Sequence, residues 1–221
     1  MYFSRLQINS RRREARKLLA NPRAMHAAVE SSFPPVDGTP AKERVLWRVD
    51  ETGSGATLYV VSPRKPDMAH IVEAAGWDTS PSESLAYGKF LDRIENGQEY
   101  QFRVTVNPVK RLRVQGGRGK LVPHVTEAQQ LDWFYARQDR WGFKVLATAE
   151  GEDSPLAKVV KRADRAFSKG ASDRTTRVTQ RHVTIVGDLE VVDADLLRLS
   201  LIEGLGRGKA YGCGLMTLSR K

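Results

Sequence analysis

GLGRGKAYGCGLMTL, residues 204–218, carries five glycines (Gly204, Gly206, Gly208, Gly212 and Gly214) with Arg207 and Lys209 set between them. It follows DADLLRLSLIEG (193–204), which has helical spacing, and it ends in an apolar run that reads as a strand. Glycine takes positive φ and lets the backbone approach a ligand closely, and successive amides in such a loop converge on anionic oxygens. The stretch is not a P-loop: three residues separate Gly204 from Gly208, and Ala210 stands where a magnesium-binding hydroxyl would follow the lysine. A dinucleotide fingerprint follows a strand and opens a helix, whereas here the helix comes first. That order argues against a nucleotide cofactor and for a glycine-rich connection between the last helix and the last strand of an α+β unit. A glycine helix stop explains Gly204 alone; four further glycines with cations between them point to a phosphate chain.

Upstream, the element order repeats. In the first half Tyr2, Leu6 and Ile8 alternate with Arg5, Gln7 and Asn9, a strand pattern, and a helical stretch runs from Arg11 to Ala20. Asn21 and Pro22 start a second helix that ends before Pro34. RVLWRVDE and ATLYVVSP form two strands about a turn at Gly53–Gly55, followed by the helix DMAHIVEAAG and a weaker strand near Leu85 and Tyr87. The second half begins with the strand EYQFRVTVNP. TEAQQLDWFYARQDRWG reads as one helix from Thr126 to Gly142, FKVLATAEG as a strand, and Leu156–Val192 as a long hairpin interrupted by SKGASD. Each half therefore reads β-α-β-β-α-β, which predicts two tandem ferredoxin-like (RRM-like) domains, 1–96 and 97–221.

Composition restricts the class of partner. The 221 residues are 40% hydrophobic, enough for one large core or two small ones, and no apolar run is long enough to span a bilayer. The N-terminus lacks a signal-peptide core and there is one cysteine, so a cytoplasmic protein without disulfides or a cysteine metal cluster is expected. The net charge is +10 and it is clustered. Residues 109–120 hold five Lys or Arg and no acid. Residues 158–181 hold Lys158, Lys161, Arg162, Arg165, Lys169, Arg174, Arg177 and Arg181 against two aspartates. Arg11, Arg12, Arg13, Arg16 and Lys17 form a third group. One such cluster is an ordinary solvated face, but three with a glycine cradle point to a nucleic acid.

Four segments taken together, ANPRAMHAAVESSFP, FRVTVNPVK, GRGKLVPHVTEAQQLDWFYAR and GLGRGKAYGCGL, resemble the CasE family of CRISPR repeat-processing endoribonucleases, over nearly the whole chain. The resemblance implies a tandem ferredoxin-like fold that binds the CRISPR repeat RNA hairpin. It further implies metal-independent cleavage at the 3′ base of the stem, and retention on the product among the other Cascade subunits. It implies no cofactor, no membrane partner and a monomer when free.

A ribonuclease of this kind uses the 2′-hydroxyl of its substrate as the nucleophile. The protein must align it, move protons and stabilise charge on the phosphorane. Of four histidines, His26 alone falls in the segment matching the family's catalytic helix, and the resemblance assigns it acid or base catalysis. Some family members carry tyrosine where this chain has Arg23. Arginine does not give up its proton, so Arg23 suits phosphate stabilisation. Tyr2 and Tyr211 are candidates for the missing tyrosine, with packing as the alternative role for each. The resemblance makes the Lys158–Arg177 hairpin the RNA-inserting element, through Lys158, Lys161, Arg162, Arg165, Lys169, Arg174 and Arg177. Asn107 and Lys110 match an NPxK segment that either orders its loop or touches RNA. Gly204, Gly206, Arg207, Gly208, Lys209 and Tyr211 are expected to clamp RNA backbone, with the cut made elsewhere, at His26. A non-catalytic RNA-binding module of a ribonucleoprotein is the alternative.

Overall fold

The computed structural model describes residues 1–34, 44–53, 55–114, 117–147, 157–168 and 177–220. Alternating side chains form the first strand, β1 (Tyr2–Ile8), whose Ser4, Leu6 and Ile8 point inward. It is followed by α1 (Arg13–Ala20), α2 (Pro22–Glu30), β2 (Leu46–Thr52), β3 (Gly55–Ser62), α3 (Ala69–Ala75), β4 (Glu83–Ala86) and α4 (Gly88–Leu91). The sheet order is β2-β3-β1-β4, antiparallel throughout, which is the ferredoxin-like arrangement. Leu18, Met25, Val29, Met68 and Ile71 from the helices cover Leu6, Ile8, Leu58 and Val60 on one face of the sheet.

The second half repeats this with β5 (Glu99–Val106), β6 (Val109–Val114), β7 (Gly117–Pro123), α5 (Glu127–Tyr135), β8 (Phe143–Val145), β9 (Lys158–Ser168), β10 (Arg177–Val191), α6 (Ala194–Glu203) and β11 (Met216–Arg220). The order β11-β5-β10-β8 is again ferredoxin-like. β8 pairs with residues 189–191 of β10, and β9 with residues 177–186. Since β5 holds the other side of β10, β8 and β9 share one edge and divide a single strand position between them.

Two expectations are corrected, and one small sheet was not anticipated. The helix expected over 126–142 stops at Tyr135. Thr126 opens it with a capping box, but Arg137 turns back to the Trp133 carbonyl, and a 3₁₀ turn at Asp139–Trp141 ends at Gly142. That break lets Trp141 and Phe143, stacked on each other, pack with tilted rings against Phe134 in the core, from which a straight helix would carry Trp141 away. The first helix begins at Arg13 rather than Arg11. The basic cluster at 109–120 is part of a separate two-stranded sheet, β6-β7. Its sequence signal was the alternation about a Gln-Gly-Gly turn.

The core of the second half is shared. Leu46, Val61, Tyr87, Leu91 and Ile94 from the first half pack into the cluster formed by Phe102, Val104, Phe134 and Leu201. Arg48, only 1% exposed, crosses the same junction. It donates to both carboxylate oxygens of Asp50 at 2.8 Å and to the Arg103 and Leu215 carbonyls at 2.6 and 3.0 Å. It also reaches Thr217 Oγ1 at 2.9 Å. Among the described residues no helix is long and apolar enough to cross a membrane.

Candidate RNA-cleavage site at the junction of the two halves

α2 presents the site from the first half. Asn21 caps it by accepting from the Arg23 and Ala24 amides at 3.0 and 3.4 Å. Pro22, Met25 and Val29 are buried, so the adjoining stripe of Arg23, His26 and Glu30 lies along the outside at spacings of three and four. Arg23 and Glu30 are exposed, and the His26 side chain is 34% exposed.

The glycine loop presents the site from the second half. Residues 209–211 form a 3₁₀ turn, and the Tyr211 ring packs on Phe167 of β9 with ring centres 4.4 Å apart. On its other side the same ring meets His26 edge-on at 6.2 Å. The loop expected to bind and the histidine expected to cut therefore lie side by side at the junction. Tyr2 lies in register with Ser62 and Ala86 in the sheet, and no ring contact joins it to His26 among the described residues.

The glycines themselves serve packing first. Gly204 has φ +78°, and a Cβ there would lie 2.7 Å from the Leu46 side chain. Gly212 has φ +85°, and a Cβ there would lie 2.7 Å from the Trp47 ring. Both contacts are to β2 of the first half, so the glycine spacing reflects close approach of protein to protein at the junction. The amides of Gly206, Arg207, Gly208 and Lys209 make no backbone hydrogen bond among the described residues, and the cations of Arg207 and Lys209 lie on the same arc of the loop. Burial, with the charge of Arg44, lowers the Lys209 amine from its ordinary range, partly countered by Glu203.

The arginine-rich hairpin divides by strand alternation. Lys161 and Arg165 turn toward the first half and pair with Glu51 of β2 at 2.6 and 3.4 Å. Burial pushes the Glu51 carboxyl up, but the two cations outweigh it and hold it below the usual range. These two ion pairs join β9 to β2 of the first half. Arg162 points the other way, 3.8 Å from Glu127. Lys158 lines an open groove with Arg103 and Asp50 on the far side of the junction. Arg177 lies in β10 opposite Ser168, and Lys169 and Arg174 fall outside the described residues. Asn107 is buried between β5 and β6. Lys110 lines an open groove with His124, Asp132 and Arg137.

The other histidines have other surroundings. His70 Nε2 lies 2.9 Å from the Ala28 carbonyl. Burial, then the charges of Lys110 and Arg137, lower His124. His182 lines a cavity of about 60 Å³ behind Tyr211, with Met25, Trp47 and Arg165; burial and the charge of Arg165 push its imidazole down to about 4. Among the described residues, no three His, Cys, Asp or Glu side chains gather as metal ligands.

Residues 1–220 match the model of a family described as CRISPR associated protein. The chain belongs to this CRISPR-associated family. The CRISPR-associated endoribonuclease Cse3 of Thermus thermophilus is 28% identical over 225 residues, covering 99% of this chain and all of Cse3. A solved Cse3 endoribonuclease bound to a 19-nucleotide RNA superposes with a TM-score of 0.80 at 28% identity, covering 99% of this chain and all of that one. Cas6e from Escherichia coli shares the fold at 20% identity and a TM-score of 0.61, each chain fully covered. So does a chain of a CRISPR RNA-guided surveillance complex, also at 20% identity and full coverage, with a TM-score of 0.67. The tandem ferredoxin-like fold of this CRISPR-associated chain is thus that of its relatives. Glu30, Phe167, Glu51 and Arg48 were not singled out in the sequence. Glu30 alone had a signal, its place one helical turn after His26.

Proposed function

We propose that this chain is an endoribonuclease that binds the CRISPR repeat hairpin and cuts precursor RNA at the 3′ base of its stem. The 2′-hydroxyl attacks the adjacent phosphorus, the bond to the 5′-oxygen breaks, and the products carry a 2′,3′-cyclic phosphate and a 5′-hydroxyl. His26 moves a proton in this exchange. Arg23, one turn before it, stabilises the phosphorane, as do the cations of the glycine loop across the junction. Two protein halves thus supply one site, the proton carrier from α2 and the charge from both sides. No metal takes part, and cations rather than carboxylates dominate the surroundings. As a full-length relative of an endoribonuclease and a fold-mate of a surveillance-complex chain, the protein stays on its product within a cytoplasmic Cascade assembly.

The carrying observation is a half-exposed imidazole at the seam where the glycine loop of the second half meets α2 of the first. The test is cleavage of the cognate repeat hairpin in chelator by wild type and His26→Ala. The expected loss is about 10²–10⁴-fold in single-turnover rate with binding retained. Equal rates would overturn the assignment. Tight binding without cutting by the wild type would make the chain the non-catalytic binding module instead.

A further inference from the structure

His26 Nδ1 is sealed from solvent and has no hydrogen-bond partner among the described residues, although a third of the side chain is exposed. The exposed edge of the ring is therefore the one that carries Nε2. Among the described residues the carboxylate paired with Nδ1 is Glu30, whose Oε1 lies 3.8 Å away and one helical turn further along α2. A sealed imidazole nitrogen without a partner is costly in either protonation state. A carboxylate can only accept, so closing that gap requires a proton on Nδ1. Spacing at i and i+4 on one helix puts the two side chains within reach, and rotation of the half-exposed glutamate closes the distance. The edge of the Tyr211 ring flanks the imidazole from the other half and limits its rotation.

We infer that Glu30 is the positioning carboxylate of His26: it takes the Nδ1 proton and so commits Nε2 to the RNA. The neutral ring then offers the Nε2 lone pair as proton acceptor, and the protonated ring offers the Nε2 proton as donor. Both transfers pass through the same nitrogen. Glu30 itself touches neither the RNA nor the reacting atoms. This inference rests on the reading of His26 as the proton carrier.

The test combines two readouts on the full chain. The first is the His26 tautomer, measured by long-range proton–nitrogen NMR correlation at about pH 8, where a free imidazole is neutral, with signals assigned against His26→Ala. Wild type shows the Nδ1–H form. Glu30→Leu moves His26 toward the Nε2–H form, and Glu30→Gln keeps Nδ1–H because its amide carbonyl still accepts. The second readout is single-turnover cleavage of the repeat hairpin. Glu30→Leu slows it by about tenfold or more, Glu30→Gln restores most of the rate, and neither weakens RNA binding, since both remove a negative charge near a polyanion. An Nδ1–H tautomer that persists in Glu30→Leu overturns the inference, as does an unchanged cleavage rate. Should the wild type fail to cut repeat RNA, the proposed function fails, while the tautomer measurement still decides the role of Glu30.

Discussion

Removing Arg48 should loosen the junction that assembles the site. Its guanidinium makes two bonds to Asp50, one each to the Arg103 and Leu215 carbonyls, and one to Thr217, and it lies 5.4 Å from the centre of the Tyr59 ring. Arg48→Met keeps much of the side-chain volume but removes the donor to the Leu215 carbonyl, leaves the Arg103 carbonyl with Thr217 Oγ1 at 3.4 Å, and leaves the largely buried Asp50 carboxylate to the Arg103 guanidinium alone, 3.3 Å away. Breaking such a pair from one side costs about 3–5 kcal/mol. For a chain of this size each kcal/mol lowers Tm by about 2–4 °C, so a fall of about 6–20 °C is expected in a calorimetric scan at neutral pH. Asp50→Asn added to Arg48→Met should recover part of the loss, because the buried charge is then gone. Cleavage by Arg48→Met at permissive temperature should fall more than binding. Leu215 and Thr217 follow directly on the glycine loop, and their release lets Tyr211 drift from His26. A Tm within about 2 °C of wild type, or strictly additive losses in the double variant, would refute the account of this residue as the clamp between the halves.

Stability should fall with pH through His182. Its imidazole is held down to about 4 in the folded protein, against about 6.5 in an unfolded chain. Below pH 6.5 the unfolded chain takes up a proton that the folded chain resists until about pH 4, so stability declines across that window by about 3 kcal/mol. His182→Leu should flatten the decline in urea titrations, and an unaltered pH dependence would sink this reading. Gly212→Ala forces a positive φ on alanine and drives its Cβ to 2.7 Å from the Trp47 ring. It should cost about 2–4 kcal/mol in denaturant unfolding, and a neutral effect would show that the junction yields at Trp47.

Much of the fold was legible because local rules act on neighbouring residues. Asn21 and Pro22 start α2, Thr126 opens α5 with its capping box, and strict alternation marks β1 and β5. The end of α5 was not legible, because an amphipathic pattern continues through Arg137 and Trp141 while the core needs those aromatics on a turned chain. In the site, His26 came from a motif match and Tyr211 from its place beside the glycines. Their adjacency was invisible, since nothing in 184 intervening residues encodes a contact between α2 and the final loop.

By itself the sequence determined the element order, the repeat of a ferredoxin-like unit and the clustered positive charge that calls for a polyanionic partner. These follow from periodicity, capping and charge, which are written in short stretches of chain. Tertiary structure alone decided which neighbours the cations and glycines meet. Lys161 and Arg165 face Glu51, because β9 alternates them toward the first half, and Gly204 and Gly212 yield to Leu46 and Trp47 across the junction. A cation is equally consistent with RNA or with a neighbouring carboxylate until its neighbours in space are known. The fold supplies those neighbours through the packing of two sheets that lie far apart in sequence.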